Sequence, residues 1–232
     1  MDRRLIPLVL GCFLGTFLEW YDYALYSYLA TSISVTFFPK GDASVALMET
    51  FAVFSLSFLV RPLGGVFWGF IGDRFGRKVS LSASILLISG STACIGLIPA
   101  YHAIGIYAPC LLLFFRLLQG LSAAGEYAGA AIILAETVPA RLRGMLTAVV
   151  PAGEAMGLLA GACMIFGFSV ISHGGPLQDW MWRAPFLVSV PLGLLAFFLR
   201  RRVFDATPQA LSLIPIRTCP PIGAFCCRRT PV

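Results

Sequence analysis

The sequence predicts an all-α membrane protein with six spanning helices, and three observations carry that expectation. Hydrophobic residues make up 58% of the 232 and charged residues only 12%, about half the roughly 25% charge of an ordinary soluble domain. Six apolar runs recur, each close to the roughly 20 residues needed to cross a hydrocarbon core. Basic residues collect at alternate ends of those runs, where they set orientation. A mean hydropathy of +0.86 excludes an ordinary soluble domain. The net charge of +6 does not indicate nucleic acid, because most of it sits at the ends of apolar runs.

The first run covers about residues 8–30 and follows Arg3 and Arg4. It begins like a signal peptide, but Glu19 and Asp22 interrupt it and no small-residue cleavage site is evident, so it reads as an uncleaved helix. The second run covers about 46–70 and the third about 80–98, ended by Pro99. The fourth covers about 109–135, the fifth about 145–170 and the sixth about 184–199. Arg3 and Arg4, then Arg74, Arg77 and Lys78, then Arg141 and Arg143, then Arg200, Arg201 and Arg202 fall on one side. The other side carries Lys40, with Arg183 at a helix edge. Both termini are therefore expected in the cytoplasm. The seven cysteines show no metal spacing, and Cys12, Cys94, Cys110 and Cys163 read as small hydrophobes within the runs. No motif calls for a cofactor or a metal, and no His cluster or nucleophile motif points to an enzyme.

Polar groups inside a span each need a reason, because a mid-bilayer charge costs roughly 2.5–3.5 kcal/mol on insertion scales. Glu19, Asp22, Tyr23 and Tyr26 share one face of the first helix. Arg116, Gln119, Gly120, Ala123 and Tyr127 share one face of the fourth, with Glu126 beside them. These faces belong against protein or a water-filled cavity. Arg116 and Glu126 read either as groups on a substrate and proton pathway or as members of structural ion pairs. Gly153, Gly157 and Gly161 on the fifth helix form a small-residue stripe suited to close helix packing. Glu154, beside that stripe, either lines the cavity or reaches water at the cytoplasmic end.

Between the second and third runs lies Gly69-Phe70-Ile71-Gly72-Asp73-Arg74-Phe75-Gly76-Arg77-Lys78. Its charges require water or headgroups and its glycines permit a tight turn. The pattern resembles the loop between helices 2 and 3 of the major facilitator superfamily. Leu18 to Tyr23, Phe58 to Gly65, Ile104 to Pro109, Arg116 to Gly120, Gly125 to Tyr127, and Glu136 to Gly144 resemble further motifs of its metabolite:proton symporter family, in the right order. That family includes uptake systems for proline and betaine, 2-oxoglutarate, citrate and shikimate.

The resemblance implies the N-terminal six-helix half of a major facilitator superfamily fold over residues 1–208, with 209–232 as a non-family, disordered tail. It implies proton-coupled symport of a small polar metabolite such as an organic acid or osmolyte at the inner membrane. Glu19, Asp22 and Glu126 would serve as proton and substrate ligands. Tyr23, Tyr26, Arg116, Gln119 and Glu154 would complete the pathway. Gly69, Asp73, Arg74, Gly76, Arg77 and Lys78, with Glu136 and Arg143, would form a cytoplasmic gate. The expected partners are the metabolite, the proton, membrane lipid, and a separate C-terminal half or a second copy, with no nucleic acid. The alternative expectation is a truncated or frame-shifted fragment without activity. Ala124 and Ala128 stand where the family has glycine, and a Gly-Pro element resembling the antiporter signature is missing from the fifth helix, which favours symport.

Overall fold

The structure, a computed structural model, describes residues 5–39, 41–171 and 181–205, excluding the side chains of Arg77, Lys78, Glu136 and residues 202–205. Among the described residues all regular structure is helical. The elements are α1 (Leu5–Tyr28), α2 (Ala30–Phe37), α3 (Ala43–Leu59), α4 (Arg61–Phe75), α5 (Arg77–Leu97), α6 (Tyr101–Ile104), α7 (Tyr107–Thr137), α8 (Arg143–Thr147), α9 (Val149–Ile171), α10 (Ala184–Leu187) and α11 (Ser189–Asp205). A short 3₁₀ turn, Met181–Arg183, leads into α10.

Six stretches are long and apolar enough to span a membrane: α1, α3 with α4, most of α5, most of α7, α8 with α9, and α10 with α11. The all-α, six-span expectation therefore holds among the described residues. Three spans are jointed where the sequence reading runs them straight through. Each joint, at Val60, Ala148 and Val188, lies two or three residues before a proline: Pro62, Pro151 and Pro191. Proline has no N–H for the carbonyl four residues back, and its ring crowds that carbonyl, so the helix breaks there. A second difference is α2. The first run ends at Tyr28, and a separate short helix carries Ile33 and Phe37 into the core against Trp182 and Phe186.

Glycines set how closely the helices pack. Gly153, Gly157 and Gly161 face α1, as the stripe predicts: a Cβ on Gly153 would lie 2.7 Å from the Phe13 carbonyl oxygen, and one on Gly157 would overlap that of Phe17. A second seam joins α7 to α3 and α4. There Gly120 lies on the Ser57 backbone and Gly64 on that of Leu121. Gly120 was expected on the polar face of the fourth helix, and its function in the structure is this contact. Hydrocarbon solvates apolar side chains well, so such close backbone approach, rather than hydrophobic burial, holds helices together in lipid.

At one end of α4 the chain turns through Gly76, whose φ of +91° lies in the left-handed region that glycine tolerates. A Cβ on Gly69 would meet no atom within 4 Å, and Asp73, Arg74 and Arg143 are exposed. The expected gate residues Arg77, Lys78 and Glu136 have side chains outside the described residues.

Candidate substrate and proton site

The polar face of α1 binds two other helices through ion pairs. Glu19 Oε1 accepts from Arg61 Nη2 of α4 at 2.6 Å. One turn along, Asp22 Oδ2 accepts from Arg116 Nη1 of α7 at 2.7 Å. Asp22 Oδ1 accepts from Thr92 Oγ1 of α5 at 3.0 Å and from Gln119 Nε2 at 2.9 Å. Arg116 also lies over the Tyr26 ring, 3.7 Å from its centroid, a cation–π contact that holds its flat face. Tyr26 in turn donates to the Thr50 carbonyl at 2.9 Å. The four α1 residues expected on one face therefore fall into two buried clusters, Glu19 with Tyr23 on Arg61 and Asp22 with Tyr26 on Arg116.

A third pair lies deeper. Glu126 of α7 accepts from Arg200 of α11 through both carboxylate oxygens, and Ser84 Oγ donates to its Oε2 at 2.9 Å. Arg200 Nε donates to the Gly11 carbonyl at 3.0 Å and Nη1 to the Leu81 carbonyl at 2.6 Å. Gly15 makes room for the pair, since a Cβ there would overlap the Glu126 carboxylate. Glu126 is fully buried and Arg200 is 1% exposed. The loop-charge reading of Arg200 is corrected here. Of the three consecutive arginines, Arg201 is exposed, whereas Arg200 points inward because a buried carboxylate and two carbonyls await it.

Satisfaction separates the three pairs. A buried ion pair is favourable only when its remaining donors and acceptors are met. Among the described residues, the buried side-chain atoms without a partner are Glu19 Oε2, Arg61 Nε, Arg116 Nε and Nη2, and Gln119 Oε1. Four belong to the two pairs on α1 and the fifth to Gln119 beside Asp22, and none to Glu126 and Arg200.

A cavity of about 380 Å³ opens beside the first pair. Glu19 and Trp20 of α1, Arg61 of α4, Tyr127 of α7 and Glu154 of α9 line it, with Ala123, Ala124 and Ala128 as its smooth wall. Glu154 is thus a cavity residue. Ala124 and Ala128, where the family pattern has glycine, put methyl groups on that wall. Arg61 sits over two rings, 5.0 Å from the centroid of Tyr23 and 4.7 Å from that of Phe58. A second cleft of about 280 Å³ lies beside Gly69, Gly72 and Asp73.

Reasoning from sequence missed Arg61, Arg200, Ser84 and Thr92. Arg61 had a signal: it is a charge inside a span, between Val60 and Pro62, the criterion that selected Glu19. The hydroxyls had none, because serine and threonine are ordinary in spans.

The family model described as "Sugar (and other) transporter" matches residues 8–208. The proline/betaine transporter of Escherichia coli K12 is 41% identical over 207 residues, covering 89% of this chain and 41% of that protein. The glycine betaine/proline/ectoine/pipecolic acid transporter OusA of Dickeya dadantii is also 41% identical over 207 residues, with 89% of this chain and 41% of its own length covered. The chain therefore spans about two fifths of the length of these curated relatives. Among solved structures, the proton:xylose symporter XylE superposes with a TM-score of 0.71 at 21% identity, over 85% of this chain and 44% of that one. A partially occluded, inward-open form of XylE from E. coli gives 0.71 at 23%, over 87% and 48%. At that identity the likeness is one of fold. These relatives are transporters, not enzymes. The chain belongs to the sugar (and other) transporter family of the major facilitator superfamily.

Proposed function

We propose that the protein acts in secondary active transport: proton-coupled symport of a small polar metabolite, an organic acid or osmolyte, across the inner membrane. The observation that supports this best is the incompletely satisfied Glu19–Arg61 pair on the wall of a cavity of about 380 Å³. Charges are costly in a bilayer, and those that face a cavity mark ion and substrate pathways. Relatives named for proline and betaine favour an osmolyte. In this reading residues 1–208 form one six-helix half, and a separate C-terminal half or a second copy closes the path opposite the cavity. Asp73, Arg74, Arg77 and Lys78, with Glu136 and Arg143, gate the cytoplasmic side. Glu19 and Asp22, on the face of α1 that carries two ion pairs, supply proton and substrate ligands.

The test is uptake of labelled proline, glycine betaine and xylose into vesicles carrying this chain together with the C-terminal half of a proline/betaine transporter. Accumulation of an osmolyte driven by an imposed pH gradient and abolished by a protonophore is expected. Glu19→Gln is expected to lower gradient-driven accumulation at least roughly tenfold while exchange of labelled for unlabelled substrate persists. Accumulation that ignores the gradient overturns the coupling.

Orientation is tested separately. Both termini and the 72–78 loop are placed in the cytoplasm by the loop charges. In a cysteine-free background, an impermeant thiol reagent outside intact cells should label a cysteine at Gly41 and spare one at Gly76. The reverse pattern inverts the topology.

A further inference from the structure

Two spaces follow one another along α4 and α7. The cavity of about 380 Å³ has Arg61 of α4 on its wall. The cleft of about 280 Å³ runs past Gly65, Gly69 and Gly72 of the same helix to Asp73. Arg61 and Gly65 are one helical turn apart. Two residues of α7, Ala124 and Ala128, line both spaces. They too are one turn apart and share a face. The cavity and the cleft are therefore parts of one groove, and two methyl groups lie where they meet.

The two helices touch at Gly64. A Cβ there would overlap the Leu121 carbonyl and lie 3.0 Å from the Ala124 methyl carbon. Beyond that contact the groove opens, since a Cβ on Gly65 or Gly69 would meet nothing within 4 Å. The other walls of the cleft are held in place. Trp68 Nε1 donates to the Leu121 carbonyl at 2.9 Å, and the Trp68 side chain covers Gly125. Ser80 Oγ donates to the Trp68 carbonyl at 3.1 Å, and Leu81 covers Gly129. Close-packed walls of this kind give way little. The methyls of Ala124 and Ala128 differ from them, because each has open space on two sides. Removing them joins two existing spaces and does not depend on neighbours moving apart.

We propose that Ala124 and Ala128 set the size limit of the cavity: their methyl groups form the septum between it and the cleft, so the cavity favours a compact ligand over one with a longer arm. This rests on the transport reading above, in which the cavity seats the metabolite, and names the residues that fix its size selectivity. A ligand seated beside Arg61 ends at the two methyls. A longer alkyl arm then has no apolar space to enter and gains nothing from its extra length. With glycine at both positions the same arm reaches the cleft, between Gly65, Trp68 and Leu81. The far end of the cleft holds Asp73, so an uncharged arm suits it and an anionic one does not.

Calorimetric titration of the full chain in detergent tests this with two probes, glycine betaine and its analogue in which n-butyl replaces one N-methyl. The two carry the same charges and differ only in the length of one arm. The parent is expected to prefer glycine betaine. In the double variant Ala124→Gly/Ala128→Gly the ratio of the two dissociation constants is expected to move at least roughly tenfold toward the butyl analogue, since each methylene buried in the cleft strengthens binding roughly fourfold. Monodispersity and the thermal midpoint report whether the variant is folded. If it is not, Ala128→Gly at an exposed position carries the same test, with a smaller shift in the same direction. Ala131→Gly is the control: it has the same cost in helix propensity and lines neither space. It should keep the parent's ratio. A ratio unmoved by the glycines, or moved as far by Ala131→Gly, overturns the septum. So does a monodisperse parent that binds neither probe or binds both alike. Failure of the transport reading shows differently: the ratio shifts as expected while vesicles accumulate nothing.

Discussion

Arg200→Met is expected to destabilise the helix bundle by about 3–5 kcal/mol, the usual cost of breaking a buried ion pair by removing one partner. The substitution leaves the Glu126 carboxylate inside α1, α5, α7 and α11 with only the Ser84 hydroxyl to face it. Adding Glu126→Gln should recover much of that loss, because a neutral amide tolerates burial far better than an orphaned carboxylate. The measurement is the thermal midpoint of the monodisperse chain in detergent for the parent, both single variants and the double variant. If Arg200→Met unfolds like the parent, the pair does not hold the bundle. This separates Glu126 from the acids on α1. Sequence reasoning groups all three as proton carriers, whereas in the structure Glu126 is the one whose ion pair leaves no buried atom unmet on either partner.

The second large effect is expected from Gly157→Val. A Cβ at this position would overlap the carbonyl oxygen of Phe17 and lie 3.0 Å from the backbone nitrogen of Tyr21. Both are backbone atoms of a helix, so no rotamer change can make room. Overpacking a core costs typically about 1–3 kcal/mol and more where the backbone must move, so α9 should separate from α1 and the yield of folded protein should collapse. Gly167→Val on the same helix meets nothing within 4 Å and is the control. It should leave yield and thermal midpoint near the parent's, and equal behaviour of the two variants would remove the seam as an explanation.

The number of spans was legible because hydropathy is a local property and length alone decides whether a run can cross. The α1 face was legible for a similar reason: Glu19, Asp22, Tyr23 and Tyr26 repeat at helical spacing, and charges there need company. The joints at Val60, Ala148 and Val188 were marked by prolines, but hydropathy averages over a window and does not register one missing N–H. Arg200 was the hardest case. It stands 74 residues from Glu126 and is followed by two more arginines at a helix end. In sequence that run looks like an orientation signal, and only tertiary packing shows that its first member turns inward. Gly120 misled differently, because sharing a face with Arg116 and Gln119 does not give a residue without a side chain their function.

The rings under Arg61 bear on kinetics. A carboxylate holds a guanidinium along fixed lone-pair directions, so exchanging one carboxylate for another would ordinarily pass through a poorly solvated cation and a high barrier. The faces of Tyr23 and Phe58 attract a cation with little regard to its rotation in the plane. They form a support on which Arg61 keeps favourable electrostatics at more than one rotation of its guanidinium. Phe58 lies against Arg61 without lining the cavity itself, so its ring backs the guanidinium from outside whatever the other side of that arginine faces.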